Sequence, residues 1–78
     1  MEKEKILSEV QDIFRNILDQ EHLVLKPETT AADVEDWDSL SHIQLVVAIE
    51  KHFTIRFTSK EIQSWKNVEE MINSIQNK

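Results

Sequence analysis

Apolar side chains near the start of the chain fall at Ile6, Leu7, Val10, Ile13, Phe14, Ile17 and Leu18. Intervals of three and four residues put them on one stripe of an α-helix, with charged residues on the other side. Nothing between Glu4 and Gln20 would break such a helix, so the pattern predicts a first helix whose stripe is core. The period disappears over residues 21–37. Leu23-Val24-Leu25 is too short for a helix, and Pro27 keeps Lys26 out of the helical region and removes a backbone donor. Pro27-Glu28-Thr29-Thr30 reads as a turn. The connection, about seventeen residues, is longer than most in compact domains, which predicts a functional or locally folded loop. Leu23, Leu25 and Val34 are expected to pin it to the core, with a helical turn around Ala31-Ala32-Asp33-Val34 and Thr30 as its cap.

A second helix is predicted from about Ser39 to Phe53. Asp38 is suited to its N-cap, because a carboxylate there accepts amide protons that the first turn leaves unpaired. Ser39 then stands at the first helical position with its hydroxyl pointing outward. Leu40, Ile43, Leu45, Val46, Val47, Ala48, Ile49 and Phe53 surround most of this helix. A small domain cannot enclose it on all sides, so Leu40, Ile43 and Val47 are either further core or an open surface that a partner covers. Phe53-Thr54-Ile55-Arg56-Phe57 alternates over a few residues without a second strand to pair with, and reads as an extended connection that drops Ile55 or Phe57 into the core. Thr58-Ser59-Lys60-Glu61 has capping-box spacing and starts a short helix with Ile62 and Trp65. Asn67 is placed to cap a last helix with Val68, Met71, Ile72 and Ile75 on one face. The sum is an all-α fold, a small four-helix bundle of three main helices plus a short third one, with a long loop between the first two.

With 78 residues, the chain is read as one domain, residues 1–78. It has no cysteine, so disulfides and thiolate metal sites are excluded, and no glycine, so phosphate-binding glycine loops and nucleophile elbows are excluded too. No apolar leader or spanning segment is evident, and a cytoplasmic location is expected. The formal charge of −6 is uneven: residues 21–38 carry one lysine against six acids, whereas residues 39–55 balance Glu50 against Lys51. An acidic field directly before Ser39 repels nucleic acid and anionic lipid and favours a basic protein surface, so neither nucleic acid nor membrane is an expected partner. Asp38, Ser39 and His42 do not make a hydrolase without an oxyanion hole and a cleft. His22, His42 and His52 lack metal-ligand spacing. No catalytic residue and no metal site are expected.

Asp38-Ser39-Leu40, followed by the apolar helix through Ala48-Ile49-Glu50 and Phe53, resembles the phosphopantetheine attachment motif of acyl carrier proteins. The similarity continues through Ile55-Arg56-Phe57, the Thr58 to Ile62 turn and the Asn67-Val68 to Ile75 helix, over roughly residues 33–75. This resemblance implies a monomeric carrier without catalysis of its own. A phosphopantetheinyl transferase moves 4′-phosphopantetheine from coenzyme A onto Ser39. The arm then holds acyl or aminoacyl groups as thioesters between a loading ligase and downstream acyl-processing enzymes. Asp36, Trp37, Asp38, Leu40, Ile43, Gln44 and Val47 are the expected partner-recognition residues, with Asp38 either the helix cap, a transferase contact, or both.

The chain also departs from the family pattern. Asp36 stands where a glycine is common and Trp37 where a small residue is common. Ser41, Gln44, Lys51 and His52 occupy positions that are typically acidic in carriers of bacterial fatty-acid synthesis. A nearly neutral recognition helix weakens electrostatic steering toward those enzymes and favours a specialised pathway over housekeeping fatty-acid synthesis. The competing class is a helical protein-interaction module that receives no prosthetic group.

Overall fold

The computed structural model describes residues 2–78. Helix α1 spans Lys3–Leu18, and its stripe splits by depth: Ile6, Val10, Phe14 and Leu18 are buried and Leu7 and Ile13 half-buried, whereas Ile17, expected in the core, is exposed. Asp19 ends the helix in the left-handed region with φ of 54°, its amide donating to the Arg15 carbonyl. Helix α2 spans Ser39–Phe53, α3 Ser59–Ser64 and α4 Val68–Gln76, and no strand occurs among the described residues. The predicted caps are in place. Thr58 Oγ1 accepts the Glu61 amide while the Glu61 carboxylate accepts the Thr58 amide, and Asn67 Oδ1 accepts the Glu70 amide.

Helix α1 packs against both α2 and α4. The core between them joins Ile6, Val10 and Phe14 of α1, Leu45 and Ile49 of α2, and Val68, Met71, Ile72 and Ile75 of α4. Full burial of each large aliphatic or aromatic side chain contributes about 1.5–3 kcal/mol, which lets so short a chain fold without staples. Ile55 and Phe57 are both half-buried against this core, so the extended connection contributes two anchors.

The long connection is folded onto α1 and α4. A 3-10 turn at Ala31–Asp33 is closed by the Asp33 carboxylate, which accepts from the Thr30 amide and hydroxyl. Leu25 and Val34 are buried and Leu23 is half-buried, as the pattern implied. Polar side chains also tie the loop down. Gln11 Oε1 accepts the Leu25 amide, Arg15 Nε donates to the Leu23 carbonyl, and Gln20 Nε2 donates to the Glu35 carbonyl. The first amides of α4 are satisfied by the same loop, Val68 donating to the Thr29 carbonyl and Glu69 to the Pro27 carbonyl. The segment that leads to Ser39 is thereby held from two sides.

Candidate functional site at the start of helix α2

The Asp38 carboxylate accepts the amide protons of Leu40 at 3.1 Å and Ser41 at 3.0 Å. These bonds, chiefly the one from the Ser41 amide, hold its carboxyl below the usual value of 3.8. Asp38 therefore carries its charge at neutral pH, at the positive end of the helix. Ser39 follows as the first residue of α2. Its side chain is exposed, and its hydroxyl makes no hydrogen bond among the described residues.

Ser41 stands two positions further on in a different environment. It is buried, its Oγ accepts the Asp38 amide at 2.8 Å, and the hydroxyl donates to the Asp36 carbonyl at 2.7 Å. Ser41 is expected, with Gln44, to be a neutral residue on the recognition helix at a position that is typically acidic in carriers of fatty-acid synthesis. The structure corrects this: Ser41 faces inward and completes a reciprocal cap with Asp38. The Asp38-x-x-Ser41 spacing is that of a capping box, and this signal was available in the sequence.

Asp36 adopts φ of 68°. The left-handed region is costly for most L-residues and tolerated by glycine, asparagine and aspartate, which explains both the glycine common at this position and the aspartate found here. The turn directs the Asp36 carbonyl to Ser41 while its carboxylate stays exposed.

Trp37 requires a second correction. Expected among the partner-contacting residues, it is only 9% exposed and belongs to the core. Its ring meets Phe14 edge-on at 4.8 Å, and its indole N–H donates to His42 Nδ1 at 3.1 Å. With the tryptophan inside, the chain turns outward at Asp38 and presents Ser39. His42 is thus engaged by Trp37, and Trp65 packs edge-on against its ring at 6.0 Å. Trp65 in turn donates its indole N–H to Ser74 Oγ and packs against Phe57.

Beyond Ser39 the outer side of α2 is open. Leu40 is 69% exposed, Ile43 61% and Val47 42%, forming an apolar strip one residue wide. Gln44 is exposed beside it, and Asp33, Glu35, Asp36 and Asp38 are exposed before it. The site is therefore a free hydroxyl at a helix N-terminus, flanked by carboxylates and continued by an apolar strip. No group of three His, Cys, Asp or Glu side chains that could hold a metal ion occurs among the described residues, and no helix is long and apolar enough to cross a membrane.

The family model described as "Phosphopantetheine attachment site" matches residues 8–75. An acyl carrier protein of Acidothermus cellulolyticus is 31% identical over 99% of this chain and 92% of its own length. One from Thermosynechococcus vestitus is 28% identical over 100% of this chain and 96% of its own length. The solution structure of holo acyl carrier protein from Geobacter metallireducens superposes with a TM-score of 0.87 at 40% identity, covering 92% of this chain and 83% of that one. With an all-helical fold, an exposed serine at the head of α2 and full-length similarity to such carriers, this chain belongs to the acyl carrier protein family, whose prosthetic group is 4′-phosphopantetheine.

Proposed function

We propose that Ser39 is the attachment point of 4′-phosphopantetheine, and that residues 1–78 act as one cytoplasmic, monomeric carrier unit without catalysis of its own. The observation that carries this reading is the Ser39 hydroxyl, exposed and unbonded at the first position of a capped helix. The helix N-terminus favours a phosphodiester's negative charge there, so the residues fit the group. When bound, the group supplies a flexible arm ending in a thiol that carries acyl groups as thioesters. The chain's own part is to hold Ser39 outward, through the Asp38–Ser41 cap and the buried Trp37. Asp36, Asp38, Leu40, Ile43, Gln44 and Val47 form the surface offered to a phosphopantetheinyl transferase, a loading ligase and acyl-processing enzymes.

Incubation of the purified protein with coenzyme A, magnesium and a broad-specificity phosphopantetheinyl transferase is expected to add the mass of one phosphopantetheine. The Ser39→Ala protein is expected to gain none. Failure of the parent to gain mass with several transferases would leave a protein-interaction module as the better reading. A mass gain that survives Ser39→Ala would place the attachment elsewhere. Ser41, with its hydroxyl buried and doubly bonded, is not available as the substitute.

The same reading assigns the carrier to a specialised biosynthetic pathway. What supports this is a recognition helix with neutral Gln44 and basic Lys51 exposed on its outer side. The holo protein is expected to be a poor acceptor for the malonyl transferase of bacterial fatty-acid synthesis, and Gln44→Glu to raise its kcat/KM by restoring steering. Efficient malonyl transfer to the unaltered protein would remove the case for specialisation.

A further inference from the structure

We propose that the groove at the C-terminal end of α2 receives a carboxylate-bearing acyl group, which Lys51 and Arg56 hold by its charge. The inference rests on Ser39 as the attachment point and names the class of cargo. The groove, about 540 Å³ in volume, is lined by Val47, Glu50, Lys51, Thr54, Ile55 and Arg56. It is open to solvent and separate from the bundle's core.

Helical geometry connects it to Ser39. At 3.6 residues per turn, Ser39, Ile43, Val47, Glu50 and Lys51 fall within about 120° of the α2 circumference. Leu45 and Ile49, fully buried, occupy the opposite side. An exposed lane of Ile43 and Val47 therefore leads from the serine to the groove. With a rise of 1.5 Å per residue, Val47 lies about 12 Å and Lys51 about 18 Å along the axis from Ser39. Standard bond lengths give an extended 4′-phosphopantetheine a reach of roughly 18 Å. The arm's end thus meets the groove.

Charge selects the occupant. The ion pairs among the described residues are His52 with Glu9 and Lys78 with Glu61, so neither Lys51 nor Arg56 is neutralised by one. Glu50 is the sole carboxylate in the lining, and its Oε2 accepts the Phe57 amide at 2.9 Å. Two cations against one engaged carboxylate leave the groove positive. Around Ser39, by contrast, Asp33, Glu35, Asp36 and Asp38 are all exposed. An anionic cargo is repelled at the attachment end and attracted at the groove end, where a guanidinium can bind it by paired hydrogen bonds. A neutral acyl group feels neither effect. Val47 and Ile55 give the methylene part of the cargo an apolar wall.

The test loads Ser39 with succinyl-phosphopantetheine from succinyl-coenzyme A, or with the uncharged butyryl counterpart from butyryl-coenzyme A, using a permissive transferase. Mass spectrometry verifies each product. Amide ¹H–¹⁵N spectra of the two products are expected to differ at Val47, Lys51, Ile55 and Arg56. The difference is expected to vanish in a Lys51→Gln/Arg56→Gln protein and to shrink in 1 M salt, where the Debye length is about 3 Å. Identical spectra for the two loaded proteins would overturn the inference while leaving the carrier function intact. A difference that persists in the double variant would overturn it equally. Absence of any mass gain on Ser39 would instead remove the attachment reading beneath it.

Discussion

Trp37→Ala is expected to lower unfolding stability by about 3–5 kcal/mol, the range for removing a large aromatic from a packed core. A chain of this size has a total of roughly 4–12 kcal/mol, so the variant stands near its unfolding threshold at room temperature. Three losses combine: the buried indole surface, the edge contact with Phe14 at 4.8 Å, and the donor to His42 Nδ1 at 3.1 Å. Trp37→Phe separates them. It retains an aromatic against Phe14 but not the N–H, and is expected to cost about 1–2 kcal/mol from the lost hydrogen bond and the smaller ring. Urea denaturation followed by circular dichroism measures both. A Trp37→Ala protein as stable as the parent, with impaired loading, would return the tryptophan to the partner-facing surface. The expected result differs in stability: modification fails together with the loss of folding, because the turn that presents Ser39 has lost its anchor.

Ser41→Ala and Ser39→Ala are expected to behave oppositely, although the residues are two apart. Removing the Ser41 hydroxyl leaves the Asp36 carbonyl and the Asp38 amide without their partner in a part-buried setting. Loss of such a bond costs about 1–3 kcal/mol, which shifts Tm by about 4–8 °C for each kcal/mol in a domain this small. The Ser41→Ala protein should still gain one phosphopantetheine wherever it is folded. Ser39→Ala, made at an exposed and unbonded side chain, should change stability by less than about 0.5 kcal/mol and abolish the gain completely. Calorimetry and intact-mass measurement on the same samples read both effects. Loss of modification in a fully folded Ser41→Ala protein would show that the inner serine does more than shape the turn.

The expectations that held were local ones. A cap is a contact across three residues, so Asp38, Thr58 and Asn67 could be assigned from spacing to the following turn. The α1 and α4 stripes were legible because one face of each is buried and the other is not. On α2 the pattern was apolar nearly all round. It could not say which apolar residues faced outward, since Leu40, Ile43 and Val47 are chemically like Leu45, Val46 and Ile49. Only the packing of α1 across one side of α2 leaves the first three exposed.

Sequence reasoning misplaced one residue because its surroundings come from elsewhere in the chain, and another although its partners are close by. Trp37 read as a surface departure because its neighbours, Glu35, Asp36 and Asp38, are polar; its partner Phe14 lies on another helix. Ser41 read as a missing acid although its capping partner Asp38 is three residues away; only its second partner, the Asp36 carbonyl, depends on the unusual backbone turn at Asp36. The loop's restraint by Gln11, Arg15 and Gln20 was likewise invisible, because these side chains look like any others on a solvated helix face.

The sequence alone determined the number and order of the helices, the capped start of α2, and Ser39 as its first residue. Periodicity and capping act over one or two turns, and the chain writes them directly. Tertiary structure decided which apolar residues of α2 stay open and whether the tryptophan is anchor or contact. Burial belongs to pairs of elements, so it exists only after α1 has packed against both α2 and α4.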